Sequence, residues 1–351
     1  MREVAIVAWA QTPMVRESAR QNENELLMQV LPEVHKLAGL EQKEIDFICS
    51  GSCDYLSGSP FSFVMAVDAL GATPSAIESH VEMDAAWALY EAWLKIQCGH
   101  VDTAMVYGFA KSSPGQLVDI MALQLDPYYT QPLWPDSVSM AALQAQRFLH
   151  ETRYSEQDMA QVVVDSRAAA MDNPNAQLKG NVSTDELLSE PTFISPLRRH
   201  DCCPISDGAS ALILAERSVA ERICERPVYI RGMDHRAEAH PLGSRDLAHS
   251  MSSSIAAEKI GLNRDKIDFA ELYAPFSHQS LILKEALNLS EETVVNPSGG
   301  PLAGHIMMSA GLDRFGEAAM RIMRGEGDRA VAHATSGPCL QQNLLAVLEG
   351  V

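Results

Sequence analysis

Uninterrupted apolar runs alternate along this chain with stretches in which apolar residues recur every three or four positions. Val4–Trp9 is a continuous apolar run ended by Thr12-Pro13, the mark of a strand covered on both faces. Glu25–Leu40 has the helical spacing of an amphipathic helix. Ile45–Cys49 predicts the next strand, followed by a Gly/Ser-rich loop from Gly51 to Pro60 and a helix over Val64–Leu70 that stops at Gly71. Ile77–Val81 predicts a short extended piece, Ala85–Cys98 a long helix closed by Gly99, and Thr103–Gly108 another strand. Strands alternating with helices at this spacing predict an α/β fold with a largely parallel sheet.

The rhythm breaks near residues 112–200. Asp126-Pro127-Tyr128-Tyr129, Gln131 to Asp136 and Asn173-Pro174-Asn175 punctuate loops around two helices, near Ser137–His150 and Ser155–Met171. This segment is read as an inserted cap that shapes a pocket. Tyr128, Tyr129 and Trp134 fit either an apolar pocket or a packed cap. Asp207–Leu214 returns to the first half as a strand. Then the scheme repeats. Val228–Met233, Phe269–Leu272, Ala330–Ala334 and Leu344–Leu348 predict strands, and Ser250–Ile260 and Ser309–Arg324 predict helices. The expected organisation is a first half over 1–111 and 201–225, an insertion over 112–200, and a second half over 226–351.

The halves also repeat in sequence. Lys43-Glu44-Ile45-Asp46-Phe47 recurs as Asp265-Lys266-Ile267-Asp268-Phe269, and Gly99-His100-Val101-Asp102-Thr103-Ala104 as Gly325-Glu326-Gly327-Asp328-Arg329-Ala330. The offsets are 222 and 226 positions. A period this long is no solenoid repeat; it predicts a duplicated unit of roughly 120 residues. Ligands are expected where strands end and the halves meet.

Composition narrows the function. A net charge of −19 argues against general nucleic-acid binding, since a polyanion would be repelled. No run approaches the roughly 18 apolar residues of a membrane span. The start, Met1 to Val7, lacks a signal-peptide layout, so a cytoplasmic protein is expected. The seven cysteines form no Cys-x-x-Cys zinc pattern and no expected disulfide framework. Cys202-Cys203 reads as buried and inert, and no metal site is expected.

Three places could carry chemistry. Asn296-Pro297-Ser298-Gly299-Gly300-Pro301-Leu302-Ala303-Gly304-His305 precedes a helix. Its glycines allow tight turns and close approach of a ligand, and His305 lies near a helix start that favours developing negative charge. Glu271-Leu272-Tyr273-Ala274-Pro275-Phe276-Ser277-His278 lies at a strand's carboxyl end, where Tyr273 can donate to or accept from an oxygen substrate. His278 reads as a satisfied helix-start histidine. His333 ends an apolar strand, either entering the junction or packing as a core histidine; Cys339 reads as a bland thiol.

At these places the sequence resembles the thiolase superfamily, in particular the sterol-carrier-protein (lipid-transfer) type. Val4 to Pro13 looks like its first strand and Thr-Pro turn. Cys203 to Ala211 is similar to its Asp-Gly-Ala segment, and 296–311 to its Asn-x-x-Gly-Gly…Gly-His-Pro-x-Gly-x-x-Gly loop, with His305 on the catalytic His. Residues 271–276 look like its Glu-Leu-His-Asp-Cys-Phe segment, with Tyr273 on the His. The resemblance implies a duplicated five-layer α-β-α-β-α sandwich, usually dimeric. The departures are as informative. The family's nucleophilic Cys falls within Glu82–Asp84, and none is there; Cys98 lies at the far end of that helix, roughly 20 Å away at 1.5 Å per residue. Ile306 replaces the family's Pro, and Met308 a Gly.

Without a thiolate no acyl-enzyme forms. The thiolase-like aldolases of steroid side-chain degradation have a Tyr in this segment and lack a working Cys. Likeness to them implies retro-aldol cleavage of a β-hydroxyacyl-CoA to a ketone or aldehyde plus acetyl- or propionyl-CoA. Tyr273 would take or relay the hydroxyl proton, the former only with a lowered pKa, and His305 would hold the thioester oxygen. His333 is a third catalytic candidate, and Gly304, Ser298, Asp84 and Glu82 are candidates to bind substrate. Coenzyme A would enter as part of the substrate, with no other cofactor. Arg198 and Arg199 are candidates for it by charge alone. A homodimer or thiolase-like heterodimer, and a small OB-fold/zinc-ribbon partner, are implied by analogy. The alternatives are a non-catalytic subunit of a hetero-oligomeric acyl-CoA enzyme and an acyltransferase using Asp84 or Glu82; lipid carriage has no support among the residues.

Overall fold

The computed structural model describes residues 2–71 and 75–350; Met1, 72–74 and Val351, which fall inside the two expected halves, lie outside the description. The first half comprises β1 (Val4–Gln11), α1 (Glu23–Ala38), β2 (Phe47–Gly51), α2 (Asp54–Ser57), α3 (Ser62–Leu70), β3 (Ile77–Val81), α4 (Ala85–Gln97) and β4 (Thr103–Ala110). The segment after it holds α5 (Leu117–Leu123), α6 (Ser137–Glu151), α7 (Glu156–Ala169), α8 (Thr184–Ser189) and a small hairpin, β5 (Thr192–Ile194) with β6 (Leu197–Arg198). Strand β7 (Gly208–Glu216) and α9 (Arg217–Ile223) complete the first half. The second half contains β8 (Val228–Ala237), α10 (Met251–Ile260), β9 (Phe269–Leu272), α11 (Ser277–Ala286), β10 (Val294–Val295), α12 (Ala310–Met323), β11 (Arg329–Ser336) and β12 (Gln342–Gly350).

Duplication is visible in the strand order, β10-β9-β11-β12-β8-β1-β7-β4-β2-β3. Read outward from the central pair, β8-β12-β11-β9-β10 repeats β1-β7-β4-β2-β3. Among the described residues, only Ala5↔Tyr229 and Ile6↔Val228 pair across the join. The repeated sequence has one structural job in both halves. Asp46 Oδ2 accepts from the backbone N–H groups of Asp102 and Thr103 at 2.9 and 3.1 Å; Asp268 Oδ2 accepts from those of Asp328 and Arg329 at 2.9 and 3.2 Å. Each aspartate thus fastens the start of one strand to the turn before its neighbour.

The sheet is mixed, which corrects the expectation of a largely parallel one. Strands β2, β3 and β4 run parallel, as do β9, β10 and β11. But β7 is antiparallel to β1 and β4, and β12 to β8 and β11. Helices cover both faces of both halves, so β4 and β7 are buried along nearly their whole length whatever their direction. Direction therefore leaves no mark on their composition.

Helices α4 and α12 form the middle layer. They share one core cluster with both sets of strands, through residues such as Trp87, Leu89, Leu312 and Phe315. Helix α1 covers the outer face of the first set, and α10 and α11 that of the second. Close approach in the middle layer demands small residues. A Cβ on Gly51 would lie 2.5 Å from the Ala85 backbone, and one on Gly108 2.7 Å from Ala85 Cβ. On α12, a Cβ at Gly316 would overlap the indole of Trp9. Trp9 is buried and cannot swing away, so Gly316→Val is expected to cost about 3 kcal/mol through overpacking. Urea unfolding should show a lower midpoint with an unchanged slope.

Candidate active site

The site assembles where β9 ends and the glycine-rich loop returns. Tyr273 follows β9, its backbone N–H bonded to the carbonyl of His333 at 3.2 Å. His305 is fixed from the other side: its N–H donates to Ser206 Oγ at 2.9 Å, its carbonyl accepts from Ser206 N at 3.2 Å, and Ser206 Oγ donates to Gln177 Oε1 at 2.7 Å. The two side chains meet with Tyr273 Oη 2.7 Å from His305 Nε2 and ring centroids 5.3 Å apart. Both are 5% exposed. Tyr273 Oη also lies 3.4 Å from the carbonyl of Met307.

Burial sets the protonation of this pair. It pushes the Tyr273 phenol well above its usual 10, helped by the nearby acids, Asp84 first. It pulls the His305 imidazole down to about 4, with the Arg314 charge acting the same way. At neutral pH the pair is a phenol facing a neutral imidazole. The lowered pKa that Tyr273 would need to take the proton itself is not there, so of its two expected roles only the relay remains open to it.

Both side chains line a cavity of about 500 Å³. Its walls come from three regions: Cys53, Glu82, Met83 and Asp84 of the first half; Leu117, Ile120, Met121, Met140 and Phe193 of the inserted segment; and Phe276, Gln279, Met307, Met308 and Leu340 of the second half. A mostly apolar hollow with a few polar groups has the usual character of a small-molecule site. Tyr128 and Tyr129 are 83% and 78% exposed and do not line it.

Asp84 closes the stretch Glu82–Asp84 that holds no cysteine. Its carboxylate accepts from Ala86 N at 2.8 Å, Gly311 N at 2.8 Å and Leu312 N at 3.2 Å, capping α4 and α12 together. Burial raises its pKa to about 6 against these three donors. The first N–H of α4, from Ala85, donates to the carbonyl of Met308 at 2.9 Å. These N–H groups are consumed within the protein. Glu82, also on the wall, accepts from Asp54 N at 2.7 Å and lies 3.3 Å from His80 Nε2.

The other candidates lie elsewhere. His333 is fully buried on β11, its Nε2 bonded to Asn343 Oδ1 at 2.9 Å, and does not line the cavity. Ser298 belongs to a buried ion pair: its Oγ donates to Glu271 Oε2 at 2.8 Å and accepts from Arg314 Nη1 at 2.6 Å. Gly304 packs on Met14, with no room for a Cβ, and is also absent from the wall. Arg198 pairs with Glu156 at 2.5 Å, whereas Arg199 reaches the cavity and lies over the ring of Phe193.

No cysteine in the cavity is primed as a nucleophile. Burial raises Cys53, and lifts Cys202, Cys203 and Cys339 to about 12. Cys98 is exposed at the far end of α4, as its position in the chain implied. Among the described residues, no group of three or more His, Cys, Asp or Glu side chains is placed to hold a metal ion, and no helix is long and apolar enough to cross a membrane.

Sequence reasoning missed the acidic layer beneath the site. On α12, Asp313, Arg314 and Glu317 are buried. Arg314 Nη1 lies 2.5 Å from Glu271 Oε2. Burial lifts Asp313 and Glu317 to about 7. The available signal was a run of charges in a helix otherwise made of small and apolar residues.

Residues 4–218 match the family model described as the thiolase N-terminal domain. Benzoylsuccinyl-CoA thiolase subunit BbsB of Thauera aromatica is 26% identical over 58% of this chain and 60% of that protein. Acetyl-CoA acetyltransferase of Methanocaldococcus jannaschii is 25% identical over 90% and 89%, and human sterol carrier protein 2 is 26% identical over 73% and 54%. The matches thus span less than two thirds of the first and third of these relatives. Among solved structures, the Ltp2-ChsH2(DUF35) aldolase superposes with a TM-score of 0.82 at 18% identity, covering 99% of this chain and 97% of that one. The duplicated halves, the buried helix pair and the matched family model have one reading: this chain belongs to the thiolase family.

Proposed function

We propose that the protein is a retro-aldolase acting on a β-hydroxyacyl-CoA. The observation that carries this reading is the 2.7 Å contact between Tyr273 Oη and His305 Nε2 at the wall of an apolar cavity. Neither group can attack a thioester and persist as an acyl carrier as a thiolate does, but together they move a proton. The substrate hydroxyl gives its proton to Tyr273 Oη as the phenol proton passes to His305 Nε2. The Cα–Cβ bond breaks, the hydroxyl carbon becomes a ketone or aldehyde, and the electron pair enters the thioester as an enolate. His305, now an imidazolium, stands beside that negative charge, and its proton returns through Tyr273 to Cα. Acetyl- or propionyl-CoA leaves, and no net proton is consumed.

Two further features support the reading. The raised thiols of the cavity and the occupied N–H groups of α4 disfavour the acyl-transfer route of a thiolase. The likeness to the Ltp2-ChsH2(DUF35) aldolase fits it and suggests a partner protein. The test is to mix the purified protein, with and without such a partner, with a β-hydroxyacyl-CoA. Free short acyl-CoA and an equal amount of carbonyl product are expected. A second reading rests on Asp84: with both helix ends stapled by a carboxylate, the chain could serve a catalytic paralogue as a non-catalytic subunit, as the resemblance to a thiolase subunit suggests. Cleavage only in the presence of that paralogue, unchanged by Tyr273→Phe, favours it.

The proton relay has a pH signature. It needs neutral His305, whose pKa burial depresses to about 4. Activity is therefore lost as pH falls through about 4 and is retained above it. Tyr273, raised well above 10, adds no rising limb near neutrality. A kcat/KM profile flat from about pH 6 to 9 is expected; a climb across pH 7 to 9 would mean that phenolate is the base.

A further inference from the structure

The inserted segment grips the glycine-rich loop by its carbonyls. Ser166 Oγ donates to Gly299 at 2.5 Å, Asn173 Nδ2 to Ser298 at 3.0 Å, and Leu178 N to Ala303 at 2.8 Å. These bonds fix the loop only as far as Ala303. Beyond it the loop is held by Ser206, which accepts the His305 N–H on its Oγ, donates its own N–H to the His305 carbonyl and bridges Ile306 in parallel. Ser206 is fully buried. Since the backbone N–H of His305 can only donate, Ser206 has its hydroxyl proton to place elsewhere. Among the described residues the one acceptor bonded to that proton is Gln177 Oε1, at 2.7 Å. This fixes which end of the Gln177 amide faces Ser206: a flipped amide would leave the proton buried and unpaired, which is costly.

We propose that Gln177 is a positioning residue for His305: by orienting the Ser206 hydroxyl, it keeps His305 Nε2 at hydrogen-bond distance from Tyr273 Oη. The contacts run from Gln177 Oε1 to Ser206 Oγ at 2.7 Å, from Ser206 Oγ to His305 N at 2.9 Å, and from His305 Nε2 to Tyr273 Oη at 2.7 Å. Gln177 does not line the cavity, so it acts through these neighbours and not on the substrate. It is half-buried, and the bond to Ser206 is the one hydrogen bond of its side chain among the described residues. Its backbone neighbour Leu178 is tied to the loop independently. Losing the Gln177 amide therefore disturbs alignment more than folding. Proton transfer is steep in distance, and a misplacement of about 1 Å can cost roughly 100-fold. A Ser206 hydroxyl free to turn loosens His305 without releasing it, so a smaller loss, about tenfold, is expected. The segment that walls the cavity thus also sets the geometry of the relay. The proposal rests on the retro-aldolase reading only for the reaction by which kcat is read.

The test sets Gln177→Leu and Gln177→Ala, which remove the acceptor, against Gln177→Glu, whose carboxylate accepts the same bond. All are made in the intact protein, and either apolar variant serves if the other fails to fold. In the apolar variants kcat for a β-hydroxyacyl-CoA should fall about tenfold, with KM within about twofold and the melting temperature near wild type. Gln177→Glu should stay within about twofold of wild type in both constants. A second readout needs no turnover. In protein carrying isotope-labelled histidine, the Nε2 resonance of His305, assigned by its loss in His305→Asn, reports the bond from Tyr273. It should move toward the position of an unbonded ring nitrogen in the apolar variants and stay in place in Gln177→Glu. An unmoved resonance in the apolar variants overturns the proposal whatever kcat does. So does a Glu variant as impaired as they are, or a loss of activity that only follows a fall in melting temperature. If wild-type protein cleaves no β-hydroxyacyl-CoA, the retro-aldolase reading fails and the resonance alone decides the role of Gln177. Normal cleavage in every variant, with the resonance in place, ends the proposal and leaves that reading standing.

Discussion

Tyr273→Phe is expected to lower kcat by roughly 100- to 1000-fold while leaving KM within about threefold, the usual scale for removing a positioned acid–base group. The ring stays, so its packing against His305 stays, and only the hydroxyl that lies 2.7 Å from Nε2 is lost. Cutting that link leaves the substrate hydroxyl with no path for its proton to reach the imidazole. Stability should change little, because both neighbours of the lost hydroxyl also line the cavity. Steady-state kinetics and a melting curve on one preparation separate these effects. A Phe variant that cleaves at the wild-type rate removes Tyr273 from the mechanism.

Arg314→Met is expected to destabilise the fold by about 3–5 kcal/mol, the cost of stripping one partner from a buried ion pair. Arg314 is 1% exposed and Glu271 fully buried, with Asp313 and Glu317 beside them. The desolvation of Arg314 is outweighed by these acids, Glu271 first, which hold its charge in place. Without it, buried carboxylates remain uncompensated. Met fills a similar volume, so lost charge rather than a cavity dominates. The deficit has a sign in pH. Asp313 and Glu317 have folded pKa values raised to about 7. Their contribution is complete below the ordinary carboxylate range and is lost as pH rises through about 7. Removing Arg314 raises them further, so the deficit should be smaller at pH 5 than at pH 8. Urea titrations at the two pH values measure it, and Glu271→Gln in the Arg314→Met background should recover part of the loss. An equal deficit at both pH values contradicts this account.

Much of the architecture was legible in the chain because local chemistry and tertiary burial agree there. Ile77–Val81 and Phe269–Leu272 are strands at the residues expected, and the helices expected over Ala85–Cys98 and Ser309–Arg324 are α4 and α12 within a residue at each end. The repeat around Asp46 and Asp268 was legible because one hydrogen-bond device recurs. Small elements were not: α5, α8, α9 and the β5–β6 hairpin are short, and their apolar residues show too few turns for a period to emerge. Helix α11 was read only through its first residues, as a motif.

At the site, Tyr273 and His305 were found from their loops, since glycine clusters and strand ends are local. Their contact depends on chain segments 32 residues apart meeting in space, and no local pattern encodes that. His333 stayed open between two readings for the same reason: a histidine at the end of an apolar strand reads alike whether its ring meets a cavity or, as here, Asn343. The ionisation of Tyr273 was not legible either, because it is set by burial and by Asp84, distant in sequence. Asp84 stood out only as one of three positions, Glu82–Asp84, where a cysteine is absent. That its carboxylate ties two helix starts together follows only from the packing of α4 beside α12.

The central claim is that carbon–carbon bonds break here through a relayed proton and without an acyl-enzyme. Rapid-quench analysis of wild-type protein turning over a β-hydroxyacyl-CoA tests it most directly, by following intact protein mass and products together. Carbonyl product and short acyl-CoA should appear in equal amounts, with the protein mass unchanged at every time point. A protein heavier by one acyl group, or release of free coenzyme A in place of short acyl-CoA, would contradict the account.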